Sequence, residues 1–385
     1  MFLTGIENVD YVAPWPRPFN ERLSALQSGD RRVAYFYPRA DHSTFRYRVL
    51  NMLEAWSHVP GVGASWFEEH ELINLDLIVD SADVLVLVRC KYSAPFARLV
   101  ARARAKGKRV LFDIDDLVFD TRYVLAVLNQ LGHPTENPAL DYWFADYGRY
   151  GAMLQLSDGA VATHEYLAGK AKEFCKLPVA IVPNFMNHAQ LSHSAFIRER
   201  KGASQCRRDG RIHLGYFSGS PTHQRDFSVL ERALLQLFDE NEQIVLRIVG
   251  QLHLSDRFAR FADRIERFPM QDMLNLQRLI AEVEVNLVPL RNNHFTNCKS
   301  ELKYFEAAAV ATPTIASPTF AFARAIRDGV NGYLAPAQSW LSILRRATCD
   351  LDATAALADA ALNEVLACYT PERQAKKVNA AVFGT

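Results

Sequence analysis

The sequence predicts an α/β protein built from two doubly wound domains that face each other across a cleft. Short apolar runs alternate with helical patterns along the whole chain, as in βαβ units. Within these runs the apolar residues are consecutive, which is typical of parallel strands that helices cover on both faces. The chain of 385 residues is also longer than one hydrophobic core usually supports, so two domains are expected.

In the first half of the chain, apolar runs predict a series of strands. They cover residues 31–38, 83–89, 109–115, 158–164 and 179–185. Helical patterns occupy residues 44–56 and 94–107 between them. We therefore assign residues 1–191 to an N-terminal domain and the polar, basic segment 192–210 to an interdomain linker.

The second half repeats this pattern. Its predicted strands are 211–218, 243–250, 264–270, 283–290 and 312–317, and its clearest helical patterns are 226–240 and 270–283. A C-terminal domain is therefore expected over residues 211–356. The tail, residues 357–385, predicts two helical segments interrupted at Pro371. Ligands of such sheets bind beyond the carboxyl ends of the strands, so candidate site residues should follow strands directly.

Composition narrows the functional class. The net charge is +1, from 44 basic and 43 acidic residues, which argues against nucleic acid as the main partner. The six cysteines are dispersed without zinc-site spacing and are expected to be reduced thiols of a cytoplasmic protein. No apolar run is long enough to span a membrane, and Glu7 and Asp10 interrupt the N-terminus too early for a signal peptide. Peripheral contact with the inner face of the cell membrane is left open.

The segment GYFSGSPTHQRDF (215–227) predicts an anion site between a strand and a helix. Gly219 and Ser220 would let the backbone approach a ligand, and His223 and Arg225 supply positive charge. The alternative is an ordinary strand-to-helix turn, which also needs small residues and a helix cap.

The segment NCKSELKYFEAAAVATPTIAS (297–317) predicts a second ligand-binding element after a strand. A helix is expected to begin near Ser300 and to present free N–H groups to the cleft. These groups belong to Ser300, Glu301 and Leu302. Lys299 and Lys303 would place positive charge beside them, which suits a diphosphate. Further along the helix, the carboxylate of Glu306 could accept hydrogen bonds from a ribose diol.

Together, several stretches resemble the retaining glycosyltransferases of the GT-B architecture, in the group 1 (GT4) class. They are FDIDDLVFD (112–120), VPNFMN (182–187), GYFSGSPTHQRDF (215–227), LRIVG (246–250), residues 289–317 and GVNGYLAP (329–336). The resemblance implies two Rossmann-like domains that clamp a nucleotide-sugar, with the donor in the C-terminal domain and the acceptor in the N-terminal domain. It also implies that the C-terminal helix crosses back onto the N-terminal domain.

The resemblance implies roles for individual residues as well. The second glutamate of the family's E-x7-E motif, a ribose ligand, corresponds to Glu306, whereas the first corresponds to Cys298. This departure puts the recognition of the transferred sugar in doubt. Arg225 best matches the cation that neutralises the diphosphate, and Lys299 and Lys303 are expected to share that task.

Asp113 and Asp115 match the DxD pattern of metal-dependent GT-A transferases, but this short pattern is common by chance. The GT-B type resembles metal-independent enzymes, so no metal ion or other cofactor is expected. Asp115 is predicted to contact the acceptor or the donor sugar at the end of a strand. The alternative is a capped turn without a ligand.

Other polar residues that follow strands are candidate ligands of the acceptor or of a phosphate. They are Arg46, Arg48 and His164. The alternatives are solvated arginines and a histidine whose hydrogen bonds are satisfied within the protein. The aromatic stretch DYWFADYGRY (141–150) is expected to pack in the core rather than to stack on sugars. Residues 267–271 are expected to contact the base of the donor.

The predicted function is transfer of a glycosyl unit from a nucleoside diphosphate sugar to a hydroxyl of a polysaccharide, glycolipid or other glycan acceptor, with retention. The expected partners are that donor and a glycan or lipid-linked glycan. Two alternatives stay open: a nucleotide-sugar epimerase and a non-catalytic nucleotide-sugar-binding subunit. An NAD-dependent enzyme is a third alternative and is not expected, because no GxGxxG follows a strand.

Overall fold

The computed structural model describes residues 1–218 and 224–384, which form two α/β domains with one parallel six-stranded sheet each. The predicted fold class is confirmed. The N-terminal sheet contains β1 (Arg31–Tyr37), β2 (Val62–Glu68), β3 (Val84–Val88), β4 (Arg109–Ile114), β5 (Gly159–Ala162) and β6 (Val179–Ile181), in the spatial order β2-β1-β3-β4-β5-β6. The C-terminal sheet contains β7 (Ile212–Phe217), β8 (Ile244–Val249), β9 (Ile265–Phe268), β10 (Val285–Val288), β11 (Thr314–Ala316) and β12 (Tyr333–Leu334), in the order β12-β11-β10-β7-β8-β9.

Helices cover both sheets. In the first half of the chain they are α1 (Phe19–Gln27), α2 (Asn51–Trp56), α3 (Leu75–Ser81), α4 (Ala94–Ala105), α5 (Val124–Leu131), α6 (Ala139–Gln155) and α7 (Glu165–Cys175). The later helices are α8 (His188–Ala203), α9 (Gln224–Glu240), α10 (Met273–Glu282), α11 (His294–Asn297), α12 (Leu302–Ala308), α13 (Phe320–Ala325), α14 (Trp340–Cys349), α15 (Leu351–Cys368) and α16 (Pro371–Phe383). A π-helix spans Arg46–Leu50, and short 3-10 helices span Glu69–Asn74, Thr121–Tyr123 and Asp256–Arg264. Within the described ranges, none of the helices combines the length and apolar character needed to cross a membrane.

Every predicted strand corresponds to an observed one, but β2 and β12 were not predicted. β2 contains Gly63 and Ser65 among its apolar residues, so it lacks the consecutive apolar run of the other strands. β12 has only two residues. Both lie at the edge of a sheet, where a strand buries less apolar surface.

The segment predicted as the linker, 192–210, consists largely of the second half of α8. Cations of this helix hold it on the C-terminal domain. The Nζ of Lys201 lies 3.2 Å from the carbonyl oxygen of Ala311, and the guanidinium of Arg198 donates to the carbonyl of Ala309. Most of this basic segment is therefore a helix packed on the C-terminal domain rather than an extended linker.

Each end of the chain packs on the domain formed mainly by the opposite half. At the N-terminus, the amide of Phe2 donates to the carbonyl of Glu282 (2.8 Å), so the first residues lie on the C-terminal domain rather than in the predicted 1–191 unit. At the other end, α16 begins at Pro371, the predicted break, and packs on α2. The predicted crossing of the C-terminal helix is confirmed.

The contact between α16 and α2 is part of the N-terminal core. Val378 and Val382 are almost fully buried in the same cluster as Trp56, and the rings of Trp56 and Phe383 meet edge to face with centroids 5.7 Å apart. Where the chain crosses between domains, the amide of Met186 donates to the carbonyl of Tyr369 (3.1 Å). The last helix is therefore a structural component of the first domain.

We expect Val378→Asp to lower the free energy of unfolding of the N-terminal domain by about 3–5 kcal/mol, because it buries a carboxylate without a partner. Ala380→Asp is the matched control, since it adds the same charge to an exposed position of the same helix. This control should cost less than about 1 kcal/mol. Urea denaturation followed by tryptophan fluorescence measures both changes. Equal effects of the two variants would show that α16 contributes nothing to this core.

Candidate functional site

A cavity of about 570 Å³ lies between the domains, at the carboxyl ends of strands from both sheets. The N-terminal domain lines it with Arg46 and Tyr47, in the π-helix that follows β1. The C-terminal domain contributes Ser218 after β7, and Lys303 and Glu306 on α12. This is the position at which open α/β sheets bind their ligands.

A second cavity of about 150 Å³ adjoins the first, and Leu302 and Lys303 line both. Its polar lining residues are Asp115, Asp116, Asn184, Lys299 and Ser300. Across it, the Nζ of Lys299 lies 3.5 Å from Oδ2 of Asp116. The Oγ of Ser300 accepts a hydrogen bond from Nδ2 of Asn184 (2.9 Å). The two cavities form one elongated cleft with a larger, mostly apolar end and a smaller, charged end.

The carboxylate of Glu306 joins the two domains within this cleft. It is 4% exposed, and its Oε1 accepts hydrogen bonds from the hydroxyl of Tyr47, from Nη2 of Arg46 (3.2 Å) and from Nε2 of Gln190 (3.1 Å). Within the described residues, no hydrogen bond reaches its second oxygen, Oε2. One oxygen is therefore anchored by the protein while the carboxylate still lines the cavity.

Arg46 has unused hydrogen-bonding capacity at the same place. The residue is 7% exposed, and its Nη2 contacts Tyr47 and Glu306. Its Nε and Nη1 are buried without a hydrogen-bond partner in the described part of the chain. Because leaving buried N–H groups of a guanidinium unpaired costs free energy, an anion bound in the cavity would be stabilised by Arg46.

Lys303 is the second cation of the large cavity. It forms no ion pair with any described residue, and its Nζ lies 5.5 Å from the ring centroid of Tyr216. Loss of water around the amine, with a smaller effect of Lys299, lowers the pKa of Lys303 to about 8 against the opposing effects of Asp226 and Glu306. An anionic ligand beside this amine would stabilise its charged form.

Asp115 is held in the small cavity by residues of its own domain. Its Oδ1 accepts from Nη1 of Arg89 (2.8 Å) and its Oδ2 from the hydroxyl of Thr44 (2.9 Å). Burial favours a raised pKa for Asp115, but Arg89 and the hydrogen bond from Thr44 outweigh it and lower the pKa below the ordinary value. The group is therefore a carboxylate at neutral pH and acts only as an acceptor.

Arg48, a predicted ligand, lines neither cavity. The residue is fully buried and forms a bidentate ion pair with Asp113, with Nε and Nη2 at 2.7 and 2.8 Å from the two carboxylate oxygens. Its Nη1 donates to the carbonyl of Val182 and to Oδ1 of Asn184. Arg48 thus ties the end of β4 to the segment after β6. Both oxygens of Asp113 are occupied, so the DxD pattern does not form a pair of free metal ligands.

His164 and Glu301 also point away from the cleft. His164 caps α7, with Nδ1 accepting from the amide of Leu167 (3.4 Å) and Nε2 donating to the carbonyl of Cys298 (3.1 Å). Burial lowers the pKa of this histidine. The Oε1 of Glu301 accepts from the hydroxyl of Tyr369 (2.8 Å) in the crossing tail. Both side chains are satisfied within the protein, which is the alternative considered for His164.

The remaining predicted residues have different surroundings. Arg225 donates to Oδ1 of Asn129 in the N-terminal domain and lines neither cavity. Gly219 and Ser220 lie outside the described residues. Cys298 is fully buried and packs with the N-terminal core, and this burial raises the pKa of its thiol. The position of the missing glutamate therefore presents no side chain to the cleft.

Among the polar residues of the cleft that were not predicted are Tyr47, Asn184 and Asp116, and Gln190, which donates to Glu306, was not predicted either. For all but Tyr47 a signal existed, because they lie within or just beyond the quoted motifs. Asp116 lies in FDIDDLVFD, Asn184 in VPNFMN, and Gln190 three residues beyond that motif. Of the segment expected to contact the base, Met270 and Gln271 line the large cavity.

Comparison with known proteins agrees with this architecture. Residues 212–351 match the family model described as Glycosyl transferases group 1. HepE from Anabaena, solved with UDP and glucose, has a TM-score of 0.62 at 11% identity, over 92% of this chain and 99% of that one. Sucrose-phosphate synthase from Thermosynechococcus elongatus has a TM-score of 0.60 at 15% identity, over 90% and 97% of the two chains.

A further similar structure is WaaG, a glycosyltransferase involved in lipopolysaccharide biosynthesis, with a TM-score of 0.57 at 13% identity, over 91% of this chain and 99% of that one. At these identities the likeness shows the fold, which is the GT-B arrangement of two Rossmann-like domains. No sequence among the curated proteins matches this chain. Residues 212–351 thus match the model of the family expected from the sequence, at the level of group 1.

We expect Arg48→Met to lower the free energy of unfolding by about 3–5 kcal/mol, because Asp113 would keep a buried charge without a partner. The double variant Arg48→Met with Asp113→Leu should recover most of this loss. Arg260→Met is the control, since Arg260 pairs with Asp239 on the surface (2.7 Å). This substitution should lower the free energy of unfolding by less than about 1 kcal/mol. Chemical denaturation of the four proteins gives these values. An Arg48→Met protein as stable as the wild type would contradict a structural role of this ion pair.

Proposed function

We propose that the chain transfers a sugar from a nucleoside diphosphate sugar to a hydroxyl of a glycan acceptor, a proposal supported by the match of residues 212–351 to the group 1 glycosyltransferases. The acceptor would be a polysaccharide, a glycolipid or another glycan. The observation that carries the proposal is that Glu306 and Lys303 line a single interdomain cavity, with one oxygen of Glu306 free of hydrogen bonds to the described residues. A carboxylate acceptor beside two cations matches a ribose diol that is joined to a diphosphate.

The proposed donor position follows the polarity of the cleft. The base would lie at the larger end, where Phe217, Val249 and Met270 supply apolar surface. Glu306 would accept from the ribose hydroxyls, and Lys303 with Arg46 would contact the diphosphate. The transferred sugar would occupy the small cavity. The complex of HepE with UDP and glucose supports a donor of this class.

We propose that the reaction retains the anomeric configuration and needs no metal ion. The bond from the anomeric carbon to the phosphate oxygen breaks while a bond to the acceptor oxygen forms on the same face. The acceptor proton passes to the leaving diphosphate, whose developing charge Lys303 and Arg46 stabilise. Asp115 would accept a hydrogen bond from a sugar or acceptor hydroxyl. Lys299, paired with Asp116, would hold the small cavity in shape and add positive charge to it.

The buried Cys298 favours one alternative, a subunit that binds nucleotide-sugar without turning it over. This position contributes no carboxylate to the sugar end of the cleft, so Asp115 and Asp116 would have to supply polar contacts there. A binding subunit would retain the donor unchanged. An epimerase would alter the donor sugar without any acceptor, whereas a transferase would release the nucleoside diphosphate and form a glycoside.

We expect one of the nucleoside diphosphates UDP, GDP and dTDP to raise the thermal stability, by about 2.7 kcal/mol at one hundred times its Kd. CMP serves as the monophosphate control. Glu306→Gln should weaken the binding about 10- to 100-fold, the value of a hydrogen bond to a charged group. Removing the ribose hydroxyls from the ligand should weaken the wild type similarly but leave the variant little changed. Equal losses in both proteins would refute the ribose contact, and an absence of binding by every nucleotide would refute the proposed function.

We expect the affinity for the nucleoside diphosphate to fall as the pH rises above 8, because the amine of Lys303 has a pKa of about 8 in the empty site. The loss should approach tenfold per pH unit, since binding then requires uptake of a proton. Lys303→Arg keeps its charge and should remove this dependence. Ionisation of the nucleotide itself affects both proteins equally, so it does not contribute to the difference between their pH profiles. Calorimetric titrations between about pH 7 and pH 9 measure it, and identical pH profiles would place Lys303 outside the anion site.

A further inference from the structure

A cluster of metal-ligand side chains lies outside the cleft, where the domains are joined by the chain. It consists of His58, which follows α2, His188, the first residue of α8, and Glu372 in the first turn of α16. These residues are brought together only by the return of the C-terminal helix onto the first domain. None of them contacts the cavities of the proposed donor site.

The ligand atoms of the cluster converge. One ring nitrogen of each histidine and a carboxylate oxygen of Glu372 all lie within 4.8 Å of one another. The Nε2 of His188 is 2.7 Å from Oε1 of Glu372, and the Nε2 of His58 is 3.5 Å from the same oxygen. His58 and Glu372 are exposed, so an ion can enter from solvent. A shift of about 1 Å in the side chains would allow normal zinc–nitrogen and zinc–oxygen distances of about 2.0–2.2 Å.

A fourth residue orients the central histidine, which is an independent feature of a built metal site. The Oε2 of Glu54 lies 2.9 Å from Nδ1 of His188 and also accepts the backbone N–H of His188 (2.7 Å). Glu54 therefore fixes the ring with Nδ1–H turned to the carboxylate and Nε2 turned to the other two ligands. Metal-binding histidines are commonly held in this way by a carboxylate behind the ring.

We propose that His58, His188 and Glu372 bind a zinc ion, with Glu54 as the positioning residue and water in the fourth coordination position. Two imidazoles and one carboxylate form an established zinc ligand set. The ion would join the ends of three helices, two of which begin just after the chain passes between the domains. Its role would be structural, holding α16 against the N-terminal domain beside the contact between Met186 and Tyr369.

The test is zinc binding by the full-length protein without an affinity tag, measured by calorimetry at neutral pH after treatment with a chelator. We expect one ion per chain and a rise in melting temperature that the chelator reverses. His188→Ala should weaken binding at least about 100-fold, and Glu54→Gln about tenfold. His58→Ala provides a second ligand variant. His70→Ala is the matched control, because His70 is exposed and lies 3.1 Å from a single carboxylate, that of Glu68.

Cobalt as a spectroscopic substitute distinguishes this site from the free cysteines, of which Cys206, Cys349 and Cys368 are exposed. Binding at the proposed site gives visible ligand-field bands without thiolate charge-transfer absorption. These bands should be absent in His188→Ala and His58→Ala and unchanged in His70→Ala. Thiolate absorption, equal zinc affinity in wild type and His188→Ala, or no zinc binding at all would overturn the proposal. Circular dichroism confirms that each variant is folded before titration.

Discussion

The arrangement of the cleft depends on one buried carboxylate. A negative charge as enclosed as that of Glu306 is stable only when donors surround it, and all its described donors, Tyr47, Arg46 and Gln190, lie outside α12, the helix that carries it. The bonds from Tyr47 and Arg46 connect the two domains at the carboxyl ends of their sheets. The same carboxylate thereby joins the domains and lines the cavity between them.

The cations around the cleft fall into two groups, which differ in how many of their hydrogen-bond donors have partners within the described protein. Arg48 and Arg89 are paired with Asp113 and Asp115 and fix the ends of strands. In the described part of the chain, Nε and Nη1 of Arg46 have no hydrogen-bond partner and Lys303 forms no ion pair. A fully paired ion gains little from a ligand, whereas an unpaired buried one gains much. Under the proposed function, the second group would therefore contribute most to the binding of an anionic donor.

The sequence was sufficient for the fold because buried parallel strands appear as consecutive apolar runs, and these runs located every strand except β2 and β12, which are two of the four edge strands. The residues of the site could be predicted only in part. Arg46 and Arg48 are two residues apart and look equivalent, yet one lines the cavity and the other is enclosed by Asp113, a partner 65 residues away. Glu301 likewise turns toward Tyr369, a contact that exists only after the tail returns. Such distinctions depend on tertiary partners that local spacing does not encode.

The exchange of chain ends between the domains has a consequence for biosynthesis. The N-terminal core includes Val378 and Val382, which are translated only after the whole C-terminal sheet. A domain made early in translation usually folds before the next one follows. Here the first sheet emerges from the ribosome with part of its hydrophobic face uncovered, and it stays so until α16 has been synthesised and released. The domain that is synthesised first is therefore the last to be completed.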